Sequence, residues 1–211
     1  VDGIMARTYG HDTLEQLARH STVPVINGLS DRLHPTQLVA DYMTLVEHFG
    51  ELKGLRIAFV GDGNNVANSH INAAALTGTS LVIACPEGYD PDETILAAAR
   101  ERGADVTIDR DPRSAVKGAD ALYTDVWISM GMESEMEQRR RDFAGYTVTP
   151  AWFDDLSDRS VFMHDLPAHY GEECTEDAVY HPRSVVFDQS ENRLHGHKAI
   201  LVQLLADEGV A

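Results

Sequence analysis

Cysteine is scarce in this 211-residue chain: only Cys85 and Cys174 are present, too few for a disulfide framework or a zinc ribbon. Cys85 ends the apolar run Leu81-Val82-Ile83-Ala84 and reads as a small core residue. No apolar run is long enough to span a bilayer, and the first residues lack a signal-peptide pattern, so the expected location is cytoplasmic. Basic residues are also few, with 17 Lys and Arg against 34 Asp and Glu. The resulting formal net charge of −17 argues against a nucleic-acid backbone or an anionic membrane as partner. Internal repeats, low-complexity tracts and flexible linkers are missing too. So is an initiator Met: Val1-Asp2-Gly3-Ile4-Met5-Ala6-Arg7 reads as a strand already under way.

What is present is the composition of an ordinary globular chain, 43% hydrophobic and 24% charged. Short apolar runs alternate with amphipathic stretches. Strands are expected at Gly3–Arg7, Val23–Asn27, Arg56–Gly61, Ser80–Cys85, Asp105–Ile108, Ala121–Val126, Val161–His164 and Val185–Asp188. Helices are expected at Asp12–His20, Pro35–Phe49, Asn65–Thr77, Asp92–Arg102, Pro112–Lys117, Ser134–Phe143, Pro150–Leu156, Thr175–Tyr180 and Gln189–Leu205. Such alternation implies βαβ units, a mostly parallel sheet covered on both faces, and ligands at the carboxyl ends of its strands. The last helix carries the apolar stripe Ala199, Ile200, Leu201, Leu204 and Leu205, which needs cover.

Several polar clusters fall at those strand ends. His34-Pro35-Thr36-Gln37 opens a helix, where free N–H groups favour an anion. There His34 can donate to a carbonyl oxygen, and the Gln37 side-chain oxygen can hold an amide-like NH2. Gly61-Asp62-Gly63-Asn64-Asn65 follows a strand, but Val66 stands at the third glycine position and Asp62 where a pyrophosphate would approach, which weakens a dinucleotide reading. Asn65 can bind a small ligand's carboxylate or amino group, or simply cap its helix. Asp125 offers a carboxylate to an ammonium, and Ser129 with the following N–H suits a carboxylate: together, the two halves of an amino-acid head group. His164 and Asp165 invite a general-base role, and Arg193 can fork onto a carbonyl or phosphate oxygen. His164, His169, His195 and His197 lack a recognisable metal-ligand spacing, and no G-x-S-x-G elbow supports a Ser/His/Asp hydrolase.

In order, Met5-Ala6-Arg7, His34-Pro35-Thr36-Gln37, Gly61-Asp62-Gly63-Asn64-Asn65, Asp125-Val126-Trp127-Ile128-Ser129-Met130-Gly131, His164-Asp165-Leu166-Pro167-Ala168 and Glu191-Asn192-Arg193 resemble ornithine carbamoyltransferase, of the aspartate/ornithine carbamoyltransferase superfamily. The resemblance implies transfer of the carbamoyl group from carbamoyl phosphate to the δ-amine of L-ornithine, giving citrulline and phosphate, with no cofactor, no metal and a homotrimeric assembly. It implies that Arg7, His34, Gln37 and Arg193 hold carbamoyl phosphate. Asn65, Asp125, Ser129, Met130, Asp165 and Leu166 then hold ornithine, and Asp165, Arg193 and His34 are the catalytic set. Carbamoylation of putrescine or an acylated ornithine, or binding without catalysis, are the alternatives.

Two departures from the family accompany this. Its Ser-x-Arg-Thr-Arg phosphate motif is not found, so the chain is expected to lack most of the N-terminal carbamoyl phosphate domain and to be inactive alone. The expected fold is therefore α/β: a parallel-sheet, Rossmann-like ornithine-binding domain plus the tail end of a second α/β domain. Its parts are a remnant at 1–34, an interdomain helix at 35–50, the ornithine-binding domain at 51–188 and a returning helix at 189–211. Asp165 stands where the family most often has Cys, beside Asp125, and two nearby carboxylates push one pKa upward.

Overall fold

The computed structural model describes residues 1–128 and 133–206. The first elements are β1 (Ile4–Arg7), α1 (His11–His20) and β2 (Val25–Leu29), with β1 and β2 forming a two-stranded parallel sheet. Helix α2 (Pro35–Phe49) follows, with Pro35 at its first turn, where the missing N–H is no loss. It ends at Gly50, whose φ of 89° suits a residue without a Cβ.

The remainder is built on a second sheet. Its strands are β3 (Arg56–Val60), β4 (Ser80–Ala84), β5 (Val106–Asp109), β6 (Ala121–Thr124) and β7 (Val161–His164), ordered β5-β4-β3-β6-β7 and all parallel. Helices α3 (Asn65–Thr77), α4 (Glu93–Glu101), α5 (Pro112–Ala115), α6 (Met136–Asp142), α7 (Glu176–Val179) and α8 (Val186–Leu205) complete the described residues, with 3-10 turns at Glu133–Glu135 and Pro150–Asp155. The strands read as continuous apolar runs because both faces are covered. Ile57, Phe59, Leu81, Ile83, Tyr123 and Met163 enter one core, while Ala58, Val60, Val82, Ala84, Leu122 and Phe162 enter the other, the two-residue period of a strand.

Most expected elements appear within a residue or two. The strand expected at Val185–Asp188 is not formed. Ser184 makes a single parallel bridge to Phe162, Val185 caps α8, and the helix begins at Val186, fully buried in the second core. A run of Val-Val-Phe suggests a strand, but Phe187 turns half-exposed while Gln189 is buried, which is helical rather than alternating burial.

The strand order reverses direction between β3 and β6, so their carboxyl ends splay and leave a crevice. That crevice positions the site.

Candidate active site

A cleft of about 450 Å³ opens at this switch point, lined among others by Arg7, Asn65, Asp125, Asp165 and Leu166. Its floor is set by the turn after β3. Gly63 lies so close to Tyr89, Asp90 and Pro91 that a Cβ would fall 2.2 to 2.6 Å from their backbone atoms. Asp62 is occupied too, because Arg139 Nη1 donates to it at 2.7 Å in a buried pair, and burial pushes its carboxyl upward against that pull. A pyrophosphate thus finds neither glycine backbone nor free charge there, which disposes of the dinucleotide reading.

The capping role weighed for Asn65 belongs to Asn64. Its Oδ1 accepts from the N–H groups of Val66 and Ala67 at 2.9 and 3.1 Å, while its Nδ2 donates to Asp125 Oδ2 at 2.6 Å. Asn65 instead donates from Nδ2 to the Ser30 carbonyl at 2.8 Å, tying the early region to the cleft. Asp125 Oδ1 accepts from the Val126 N–H at 2.6 Å. Beside it, Asp165 is pushed well above the carboxylate range, first by burial and then by the charge of Asp125 and a hydrogen bond with it. Leu166 follows at a left-handed φ of 55°, its N–H donating to His164 Nδ1 at 2.9 Å. Because Nδ1 accepts, Nε2 carries the proton and donates to Glu173 at 3.1 Å. Ser129 and Met130 lie outside the described residues.

The expected carbamoyl phosphate residues gather where α2 meets α8. Gly196 makes the crossing close, since a Cβ there would lie 3.1 Å from Val39. His34 is buried, its main-chain N–H donating to Ser69 Oγ at 2.8 Å. Burial, with the charges of Arg193, Arg7 and His197, lowers its pKa to about 3, so the ring is neutral at pH 7. Arg193 Nη1 donates to the Asp165 carbonyl at 3.3 Å and so joins this cluster to the other. Gln37 is buried against Asp41.

The sequence reading missed Asp41, Arg139 and Gln189, quoted Asn64 without a role of its own, and weighed His197 only as a metal candidate. Asp41 follows Gln37 by one helical turn, a spacing that marks contact, whereas nothing local ties Gln189 to either. As for metals, His164, Glu173 and Cys174 converge within 4.8 Å, as do His169, Glu172 and Glu173. The His164 ring is already hydrogen-bonded, and burial with the Glu173 charge pushes the Cys174 thiol up to about 12, away from the thiolate a metal takes. His195 and His197 diverge, the first lying 3.9 Å from Glu191 and the second beside Arg193.

A parallel sheet whose switch-point crevice is lined by an acid–amide pole and Arg7, with an arginine–histidine pole of His34 and Arg193 outside that lining and joined to it through the Asp165 carbonyl, has the architecture of a small-ligand site. The aspartate/ornithine carbamoyltransferase, Asp/Orn binding domain model matches residues 53–204, and the carbamoyl-P binding domain model matches residues 1–47. The chain belongs to the aspartate/ornithine carbamoyltransferase family. It is 53% identical over 208 residues to ornithine carbamoyltransferase of Deinococcus radiodurans, a match covering 98% of this chain and 67% of that one. Among solved structures it superposes on ornithine carbamoyltransferase from Pyrococcus furiosus with a TM-score of 0.93 at 49% identity, covering 100% of this chain and 68% of the other. For the Thermus thermophilus enzyme the TM-score is 0.89 at 52% identity, covering 97% and 67%. The chain thus spans about two thirds of the length of these relatives.

These findings correct two expectations. The carbamoyl-P binding domain is represented by a family match of its own over 1–47, not by a remnant at 1–34. The second α/β domain is accordingly more than a tail end: β1, α1 and β2 form a βαβ unit with its own parallel pairing, and the match runs on through most of α2. The spacing of α2 hides this, because one unbroken helix serves both regions.

Proposed function

We propose that the two poles of the cleft hold the two substrates of ornithine carbamoyl transfer, the reaction that gives L-citrulline and phosphate from carbamoyl phosphate and L-ornithine. The observation that carries this reading is the Arg193–Asp165 hydrogen bond, which brings the cationic pole and the carboxyl pole to one reacting point. Arg7, His34, Gln37 and Arg193 take carbamoyl phosphate, with Asp165, Arg193 and His34 as the catalytic set. Asn65, Asp125, Ser129, Met130, Asp165 and Leu166 take ornithine, its ammonium against Asp125.

The δ-amine nitrogen bonds to the carbamoyl carbon, negative charge grows on the carbonyl oxygen, and the carbon–oxygen bond to phosphate then breaks. A neutral His34 donates to that oxygen without competing for the phosphate's counter-charge, while Arg7 and Arg193 supply fixed positive charge. The proton that the nitrogen sheds passes to the departing phosphate, because Asp165, raised well above the carboxylate range by burial and by Asp125, already carries its own. Holding both substrates in line supplies much of the remaining acceleration. The family resemblance supports a homotrimer. No helix among the described residues is long and apolar enough to cross a membrane, which supports the cytoplasmic reading.

The test is a citrulline assay with ornithine, acetylornithine and putrescine offered in parallel with carbamoyl phosphate. Citrulline from ornithine, lost in Asp125→Ala, is the expected result. Carbamoylation of acetylornithine in preference to ornithine would overturn the assignment of the ammonium to Asp125, and a preference for putrescine would overturn the assignment of a carboxylate to Asn65 and Ser129.

A further inference from the structure

We infer that Asp41 is a positioning residue that fixes the side-chain amide of Gln37, so that its oxygen and not its nitrogen is offered to the NH2 of the carbamoyl donor. The inference rests on the assignment of Gln37 to the donor made above. A glutamine amide is nearly symmetric in shape, and a half-turn about its last bond exchanges an acceptor for a two-proton donor. Something must choose between the two, or the site would accept the wrong group.

Asp41 is fully buried one helical turn beyond Gln37. Gln37 Nε2 donates to its Oδ1 at 2.8 Å. The carboxylate cannot swing away, because Gln189 Nε2 donates to the same oxygen at 2.7 Å and the Tyr123 hydroxyl donates to Oδ2 at 3.1 Å. With Asp41 ionised, as it is above about pH 7, turning the Gln37 amide over would set its oxygen against a carboxylate oxygen at hydrogen-bond distance, in a place closed to water. The amide is therefore held one way.

Its oxygen is then left as an acceptor. Gln37 Oε1 is buried and has no hydrogen-bond partner among the described residues, and the same holds for His34 Nδ1 one turn earlier. Arg193 lies near enough for its charge to act on both His34 and Asp41. A fixed buried acceptor matches an NH2 and is left unsatisfied by a methyl group, the kind of contrast from which polar sites draw selectivity. Asp41 would thus set the preference for a carbamoyl over an acetyl donor without touching either.

Two stable probes of equal shape test this by calorimetry: phosphonoacetamide, which carries the NH2, and acetonylphosphonate, which carries CH3 in its place. The wild type is expected to favour the amide by about tenfold or more. In Asp41→Asn that preference falls towards parity while affinity for acetonylphosphonate holds. Gln189→Leu breaks the same cluster but keeps the acceptor for Gln37, so it lowers the melting temperature and leaves the preference intact. A preference retained in Asp41→Asn, or lost equally in Gln189→Leu, overturns the inference. A wild type that binds neither probe fails the donor-site reading itself, a distinct result. Should Asp41→Asn not fold, the wild-type Gln37 NH2 decides by NMR: protection from hydrogen exchange, unchanged by phosphonoacetamide, supports the inference, and free exchange with water overturns it.

Discussion

At the carboxyl ends of β3 and β6 the charged groups are paired, Asp62 with Arg139 and Asp125 with Asn64, and Arg139 also donates to the Trp127 carbonyl at 2.9 Å, though Trp127 Nε1 is buried without a partner among the described residues. At the crossing of α2 and α8 polar groups are left unpaired, for His34 Nδ1, Gln37 Oε1 and His197 Nε2 are all buried without partners among the described residues. Buried polar atoms are nearly always paired in native proteins. The first region therefore carries its complement within the chain and acts as a preformed wall. The second keeps unpaired polar atoms, which fits the donor-binding role proposed for it.

The sharpest way to break this contrast is Arg139→Leu, which leaves Asp62 buried and unpaired. A loss of about 3 kcal/mol is expected in chemical denaturation, whereas His34→Ala at the other pole is expected to cost donor affinity more than stability. A smaller effect comes with pH at Asp41, which faces Gln37, Gln189, Tyr123 and Arg193 and lies 3.9 Å from the buried His70. Burial, partly offset by its hydrogen bonds, raises its pKa from 3.8 to about 7. The folded state then binds the proton more tightly than the unfolded one. Its contribution is complete below the unfolded value and is lost as pH rises towards 7. Relative to Asp41→Asn, the wild type should gain about 2 kcal/mol between pH 7 and pH 5 in parallel denaturation curves. Least of the three is Asn64→Ala, expected to cost about 1 kcal/mol through the lost cap of α3, with weaker ornithine binding as Asp125 loses its anchor. Thermal unfolding and ornithine titration check the two parts.

Much of this was legible in residues. Helix α2 announces itself through Pro35 at its first turn and α3 through the asparagine pair after Gly63, so their starts follow from local chemistry. The polar residues at strand ends were legible because a parallel sheet puts function there. The partnerships were not. Asn64 and Asn65 are neighbours of the same type, and only the fold decides that one caps and the other reaches Ser30. Gln189 meets Asp41 across 148 positions, beyond any periodicity. Val185–Asp188 misled because apolar content is shared by strands and by the buried start of a helix, and its length was too short to separate them.

That misread segment has a use of its own. The Phe162 N–H donates to the Arg183 carbonyl at 2.9 Å, the Phe162 carbonyl accepts from the Val185 N–H at 3.0 Å, and the His164 N–H donates to Gln189 Oε1 at 2.9 Å. Strand β7 lies at the margin of the sheet, where unspent backbone groups invite pairing with another chain. Here those groups are consumed by the residues leading into α8 and by its first turn. The start of the helix thus works as a stop for the sheet, and guards this margin against edge-to-edge aggregation.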